Sequence, residues 1–141
     1  MTNNLQEKNN SIDIEMIANR AYKWNLTVTI LCIVWFLLLI LSVLIPVSPI
    51  AQGVDLLVFI YAIVAHVRTR KLKIVSVGPI LIYGDQIIGV ILAVLVHLNS
   101  LSSGAKIFVA FSSLLLHILA AVFCYRTARK INEKYRKKET Q

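Results

Sequence analysis

The sequence predicts an all-α membrane protein: four transmembrane helices in an antiparallel bundle, a short interfacial N-terminal helix before them and a basic amphipathic C-terminal extension after them. Three observations carry this. Four long apolar stretches are nearly free of charge. The 141 residues are 57% hydrophobic and only 16% charged, against about a quarter charged in soluble domains, and the mean hydropathy is +0.73. Lys and Arg crowd into alternate connectors, so the chain carries an orientation as well as an address.

Residues 1–23 read as a cytoplasmic tail. They are polar and mixed in charge, without the basic start and small-residue cleavage site of a secretory signal peptide, so the first apolar stretch is expected to act as an uncleaved anchor. Ser11 can cap a short helix with Asp13 and Glu15 in its first turn, while Ile14, Ile17, Ala18 and Ala21 form a weak apolar face. That pattern predicts an interfacial helix ending near Trp24.

The transmembrane domain is expected over 24–125, with spans at 24–45, 50–67, 74–98 and 105–125. The first, WNLTVTILCIVWFLLLILSVLI, holds no charge and is long enough to cross a hydrocarbon core of about 30 Å. Pro46 and Pro49 punctuate the first connector, where proline stops one helix and starts the next at no cost in interior hydrogen bonds. Span two holds Gln52 and Asp55, span three holds Asp85 and Gln86, and span four holds Ser112, Ser113 and His117.

The second connector carries Arg68, Arg70, Lys71 and Lys73, and the tail at 126–141 carries Arg126, Arg129, Lys130, Lys134, Arg136, Lys137 and Lys138. The third connector offers only Lys106. By the positive-inside rule both termini and the second connector are cytoplasmic, and an even number of spans demands the same. A bacterial plasma membrane is the expected location. The net charge of +8 sits next to helix ends, where anionic headgroups are nearer than any nucleic acid. Arg68, Arg70, Lys71, Lys73, Arg126, Arg129 and Lys130 are therefore the expected headgroup contacts. Ala128, Ile131 and Tyr135 recur at helical spacing, which predicts an extension of helix 4 lying along the inner leaflet.

Depth singles out one site. At 1.5 Å per residue, Asp85 lies about 16 Å up helix 3 and His117 about 12 Å up helix 4 from their cytoplasmic ends. An ionised Asp at a helix centre costs about 2.5–3.5 kcal/mol on insertion scales, and each Leu, Ile or Val returns about 0.3–0.6 kcal/mol. Asp85 is therefore expected to pair with His117, with Gln86, Tyr83 and Ser113 as neighbours. The pair serves either as a binding site for a proton, cation or polar ligand or as a structural hydrogen bond. Gly84 and Gly89 bracket Asp85, which suggests close helix approach or water access, and Pro79 is placed to kink the helix. Asp55, about 8 Å from the outer end of helix 2, reads as wetted from outside. His66 and His97 read as interface residues. Cys32 and Cys124 have neither a CxxC nor a Cys/His spacing, so no disulfide or zinc site is expected.

No catalytic residue, cofactor or metal is predicted. The segment GDQIIG is similar to the aspartate-bearing segment of lipoprotein signal peptidases, but the arginine- and asparagine-bearing motifs of that family are absent. A bis-histidine haem bundle needs two His at one level, and His66, His97 and His117 fall at three. Two functions follow as expectations. The favoured one is a non-enzymatic accessory, interaction or immunity-type partner of another membrane protein, because it requires no chemistry the sequence lacks. The alternative is a small oligomeric channel or transporter passing Asp85 and His117.

Overall fold

The computed structural model of the chain describes residues 2–42, 44, 48–97 and 102–136. It is all-helical: α1 covers Thr2–Leu41, α2 Ser48–Lys71, α3 Val77–His97 and α4 Ser103–Ile131, and a π-helical turn follows at Asn132–Arg136. Three helical segments, Ile12–Leu41, Ile50–Lys71 and Ala110–Tyr135, are long and apolar enough to cross a membrane. α3 contributes a shorter apolar run, Val77–Leu92. Residues 43, 45–47 and 98–101 of the first and third connectors, Pro46 among them, and the tail residues Lys137 and Lys138 lie outside the described residues.

α1 corrects the expected N-terminus. No separate interfacial helix precedes Trp24; one helix runs through Ser11 and Trp24 without a break. The reason is in the sequence, since no Gly or Pro occurs before Pro46 and nothing else forces an end. The apolar stripe also continues, with Ala18, Ala21, Val28, Cys32 and Trp35 all buried. α3 begins at Val77, three residues after the expected start, so Pro79 falls in its first turn, where a missing N–H breaks no intrahelical bond. Pro79 is therefore a buried helix starter and not a kink. Ser102 caps α4, its hydroxyl accepting from Ala105 N at 3.3 Å.

The helices form a ring. α1 packs on α2 and α4, and α3 packs on α4 and more sparingly on α2; α1 and α3 do not meet among the described residues. The central core joins Val28 and Cys32 of α1, Val58, Ala62 and Ala65 of α2, Ile82 of α3, and Ala120 and Cys124 of α4. Small side chains dominate it because helices in lipid associate through close backbone approach. α3 and α4 approach closely at Gly78, where a Cβ would strike Cys124 Sγ and lie 2.8 Å from both Ala120 O and Cys124 N. Gly84 and Gly89, expected to permit close helix approach or water access, face open space rather than a neighbouring helix. Large apolar residues instead cover the outside, among them Leu37, Ile60, Val90 and Phe108, the reverse of a soluble protein.

A second core closes the end of the ring that carries the basic connector. Ala18 and Ala21 of α1 meet Leu72 and Ile74 of that connector and Ile131 of α4, with Ile17 and Tyr135 against them. Ala128 and Ile131 are buried. This corrects the expected C-terminal extension: its apolar face packs on α1 and the connector rather than on a leaflet. The unbroken run of α1 through Ala18 and Ala21 supplies the partner.

Candidate functional site

Four helices each send a polar or aromatic side chain to one level of the ring. His117 of α4 is the centre, its side chain 2% exposed. Its Nε2 lies 3.0 Å from Asp55 Oδ1 of α2. Its Nδ1 lies 3.1 Å from Ser113 O and 3.3 Å from Asp85 Oδ2 of α3. Trp35 of α1 stacks on the imidazole, with ring centroids 3.9 Å apart and planes 18° from parallel. Each carboxylate has a second donor: Ser113 Oγ donates to Asp85 Oδ2 at 3.0 Å, and Gln86 Nε2 donates to Asp55 Oδ2 at 2.9 Å.

Both ring nitrogens of His117 face acceptor oxygens. A doubly protonated ring finds an acceptor for each N–H, and a singly protonated one leaves one nitrogen without a donor beside an oxygen. With both carboxylates ionised and the imidazole charged, the cluster still carries one uncompensated negative charge. Burial makes that charge costly, because a buried charge needs a partner or a proton.

A cavity of about 360 Å³ opens beside the cluster, lined by Asp55, Asp85, Gln86, Ser112 and Ser113 together with apolar residues of α3 and α4. Its α3 residues, Ile88 to Leu92, follow Asp85, and its α4 residues, Ser112 to Leu116, precede His117. The cavity therefore lies on the side of the cluster away from the Arg68–Lys73 connector. Asp55, with a side chain 30% exposed, is the wetter carboxylate, whereas Asp85 is 8% exposed. Among the described residues no group of three or more His, Cys, Asp or Glu has the arrangement of a metal site.

No family model, curated protein or solved structure matches the chain. The chemistry of the site rests on its own geometry.

Of the five residues expected at the centre, the structure brings together Asp85, His117, Gln86 and Ser113. Tyr83 is not with them: its hydroxyl donates to Ala62 O at 3.2 Å and its ring packs edge-on against Phe59 and His66. It points along the α2/α3 seam because it lies two residues before Asp85, about 200° around a helix. Sequence reasoning missed Asp55 and Trp35. Measured from the outer end of α2, Asp55 reads as shallow, but counted from Arg68 it lies about 20 Å up, close to the level of Asp85. Trp35 carried no signal, since an indole in an apolar span reads as core.

The cations expected to meet headgroups all lie toward the connector end. Arg70, Lys71, Lys73, Arg126, Arg129 and Lys130 are exposed, and Arg129 pairs with Glu133 at 2.7 Å. Arg68 is half-buried and shares a depression with Arg20, Lys23, Trp24 and Thr27. His66, expected at the interface, is half-buried against Tyr83. Asn25 is fully buried, donating to Ala21 O at 2.9 Å and to Thr69 Oγ1 at 2.8 Å.

Proposed function

We propose that the protein is a small membrane channel or transporter whose centre binds a proton or a monovalent cation, held by Asp55, His117 and Asp85. One observation carries this reading: a buried imidazole between two carboxylates, beside a cavity. Intramembrane ionisable groups are expensive and mark ion or proton pathways by default. A structural hydrogen bond between helices needs one pair; two carboxylates on one imidazole exceed that need. The role is non-enzymatic.

The orientation we propose is that of the charge pattern: four spans, α3 being the third, in an antiparallel bundle with both termini cytoplasmic, in a bacterial plasma membrane. The cavity then faces the outer half. Four helices enclose little space, so an oligomer is the working form. A second reading, the accessory or immunity-type partner of another membrane protein, draws on one observation. Ile107, Phe108, Phe111 and Leu115 project from α4 as an exposed stripe, a surface that fits a neighbouring transmembrane helix.

Proteoliposomes test the first reading. Purified protein should dissipate an imposed pH or monovalent-cation gradient. Asp55→Asn, Asp85→Asn and His117→Gln should each lower the flux by about tenfold or more, the loss expected when a charge-assisted hydrogen bond is removed. Absence of flux in the wild type would overturn it. Recovery of one defined membrane protein in mild detergent, lost on Phe108→Ser/Phe111→Ser, would favour the second.

A further inference from the structure

α2 and α3 touch more sparingly than the other neighbours in the ring, and the gap between them has two contrasting compartments. The larger is an apolar groove of about 760 Å³ that runs along the seam from Leu56 to Val67 of α2, opposite Ile87, Val90 and Ile91 of α3. The smaller, of about 400 Å³, lies at the end that carries the basic connector and is lined by His66, Arg70, Lys73 and Ser76 with Ile74, Val75 and Ile80. His66 lines both and stands where the two meet.

The small compartment is built for an anion. Ser76 is 97% buried by its 3% exposure, and its Oγ has no partner; the Nδ1 of His66 is also buried without one. Buried polar atoms are nearly always satisfied, so two orphans lining one cavity mark a missing ligand. Ser76 immediately precedes α3, whose first-turn N–H groups add a positive pole. Arg70 and Lys73 stand at the rim, and among the described residues neither is in an ion pair. Their placement is enforced. The turn that ends α2 bonds Leu72 N to Thr69 O and Lys73 N to Arg70 O, both at 3.0 Å, and holds Lys73 at φ 55°. Leu72 and Ile74 on either side are anchored in the second core.

Dimensions identify the tail of that ligand. From Arg70 to Leu56 the seam rises about 21 Å, enough for one leaflet of a core about 30 Å thick. An anion-binding head that continues into an apolar channel one leaflet long matches a phospholipid. We infer that the α2/α3 cleft is a specific site for one anionic glycerophospholipid, its phosphate held by Arg70, Lys73 and Ser76 and an acyl chain laid along Ile63 and Ile87. The site stands whether or not the central cluster conducts cations. The acyl chain also abuts Gln86, which lines the groove and donates to Asp55.

Native mass spectrometry of the delipidated full chain in detergent tests it, with dioleoylphosphatidylglycerol, dioleoylphosphatidylcholine and inorganic phosphate added separately. One phosphatidylglycerol per chain should bind at least about tenfold more tightly than phosphatidylcholine, from roughly 1 kcal/mol per cation. Arg70→Ala/Lys73→Ala should remove that preference, and Ser76→Val should weaken phosphatidylglycerol binding. Ile63→Trp, which fills the groove, should weaken phosphatidylglycerol binding and leave the cations in place. Equal binding of the two lipids by the wild type would overturn the site, and that comparison needs no variant to fold. Binding of inorganic phosphate as tight as that of phosphatidylglycerol, or binding indifferent to Ile63→Trp, would also overturn it by leaving a bare anion site.

Discussion

Trp35 lies flat on His117, with ring centroids 3.9 Å apart and planes 18° from parallel. The hydrogen bonds of His117 leave its ring nitrogens in the ring plane, and the contact joins α1 to the polar centre through a face of the imidazole, so the indole reports directly on the charge of the ring. The chain has two tryptophans, and in a Trp24→Phe background only Trp35 emits. An imidazolium in stacking contact quenches indole emission more than a neutral imidazole does. Emission should therefore fall as pH is lowered through the titration of His117, and the transition should vanish on adding His117→Gln. A pH-independent signal in the Trp24→Phe protein would contradict the stack.

Gln86 donates to Asp55 Oδ2 at 2.9 Å. Replacing it with Leu leaves that oxygen short of a donor, a loss of about 1–3 kcal/mol for a buried group. The lower end is expected, because the Asp55 side chain is 30% exposed and water can substitute. Gln86→Glu should cost more, since it sets a second carboxylate against the first. Equilibrium unfolding in detergent with a denaturing co-surfactant would rank the three proteins, and an order with Gln86→Glu above wild type would contradict the bond.

Gly78 sets the spacing of α3 and α4. In Gly78→Ala the new methyl group meets Cys124 Sγ and two backbone atoms at 2.8 Å, so the helices must separate at a cost of about 1–3 kcal/mol. Cys124→Ala removes the sulfur and leaves Ala120 O and Cys124 N where they are. The double variant should thus stay close to the single one in thermal stability. Full recovery would mean that only the sulfur was in the way.

Asn25 Nδ2 donates to Thr69 Oγ1 at 2.8 Å and ties α1 to the end of α2 beside the basic connector. A double-mutant cycle with Asn25→Ala and Thr69→Val should give a coupling of about 0.6 kcal/mol, and not above about 1.7 kcal/mol, the range found for hydrogen bonds between membrane helices. The same variants should raise hydrogen exchange around Leu72. Zero coupling would show that the two residues are adjacent without being bonded.

Apolar patterning made the helices legible. Stretches of charge-free sequence marked where the four helices run, three of them long and apolar enough to cross a membrane, because any backbone in lipid must satisfy its own hydrogen bonds and a helix does so locally. His117, Asp85, Ser113 and Gln86 could be named in advance for a similar reason: ionisable groups at mid-membrane are costly enough to be conspicuous one helix at a time. Asp55 escaped because its depth was taken from one end of α2 alone. Trp35 escaped because nothing local distinguishes a stacked indole from a buried one.

The sequence by itself determined helix content, the apolar lengths, the charge asymmetry and most of the central polar residues, all properties that depend on a residue and its near neighbours along one helix. Only the tertiary structure decided that Ala18 and Ala21 of α1 are buried, that α4 leans its last turns on them, and that Tyr83 turns away while Asp55 turns in. Those outcomes depend on the rotation of each helix about its axis and on which helices are neighbours. Both are set by side-chain packing between segments far apart in the chain, which no single span encodes.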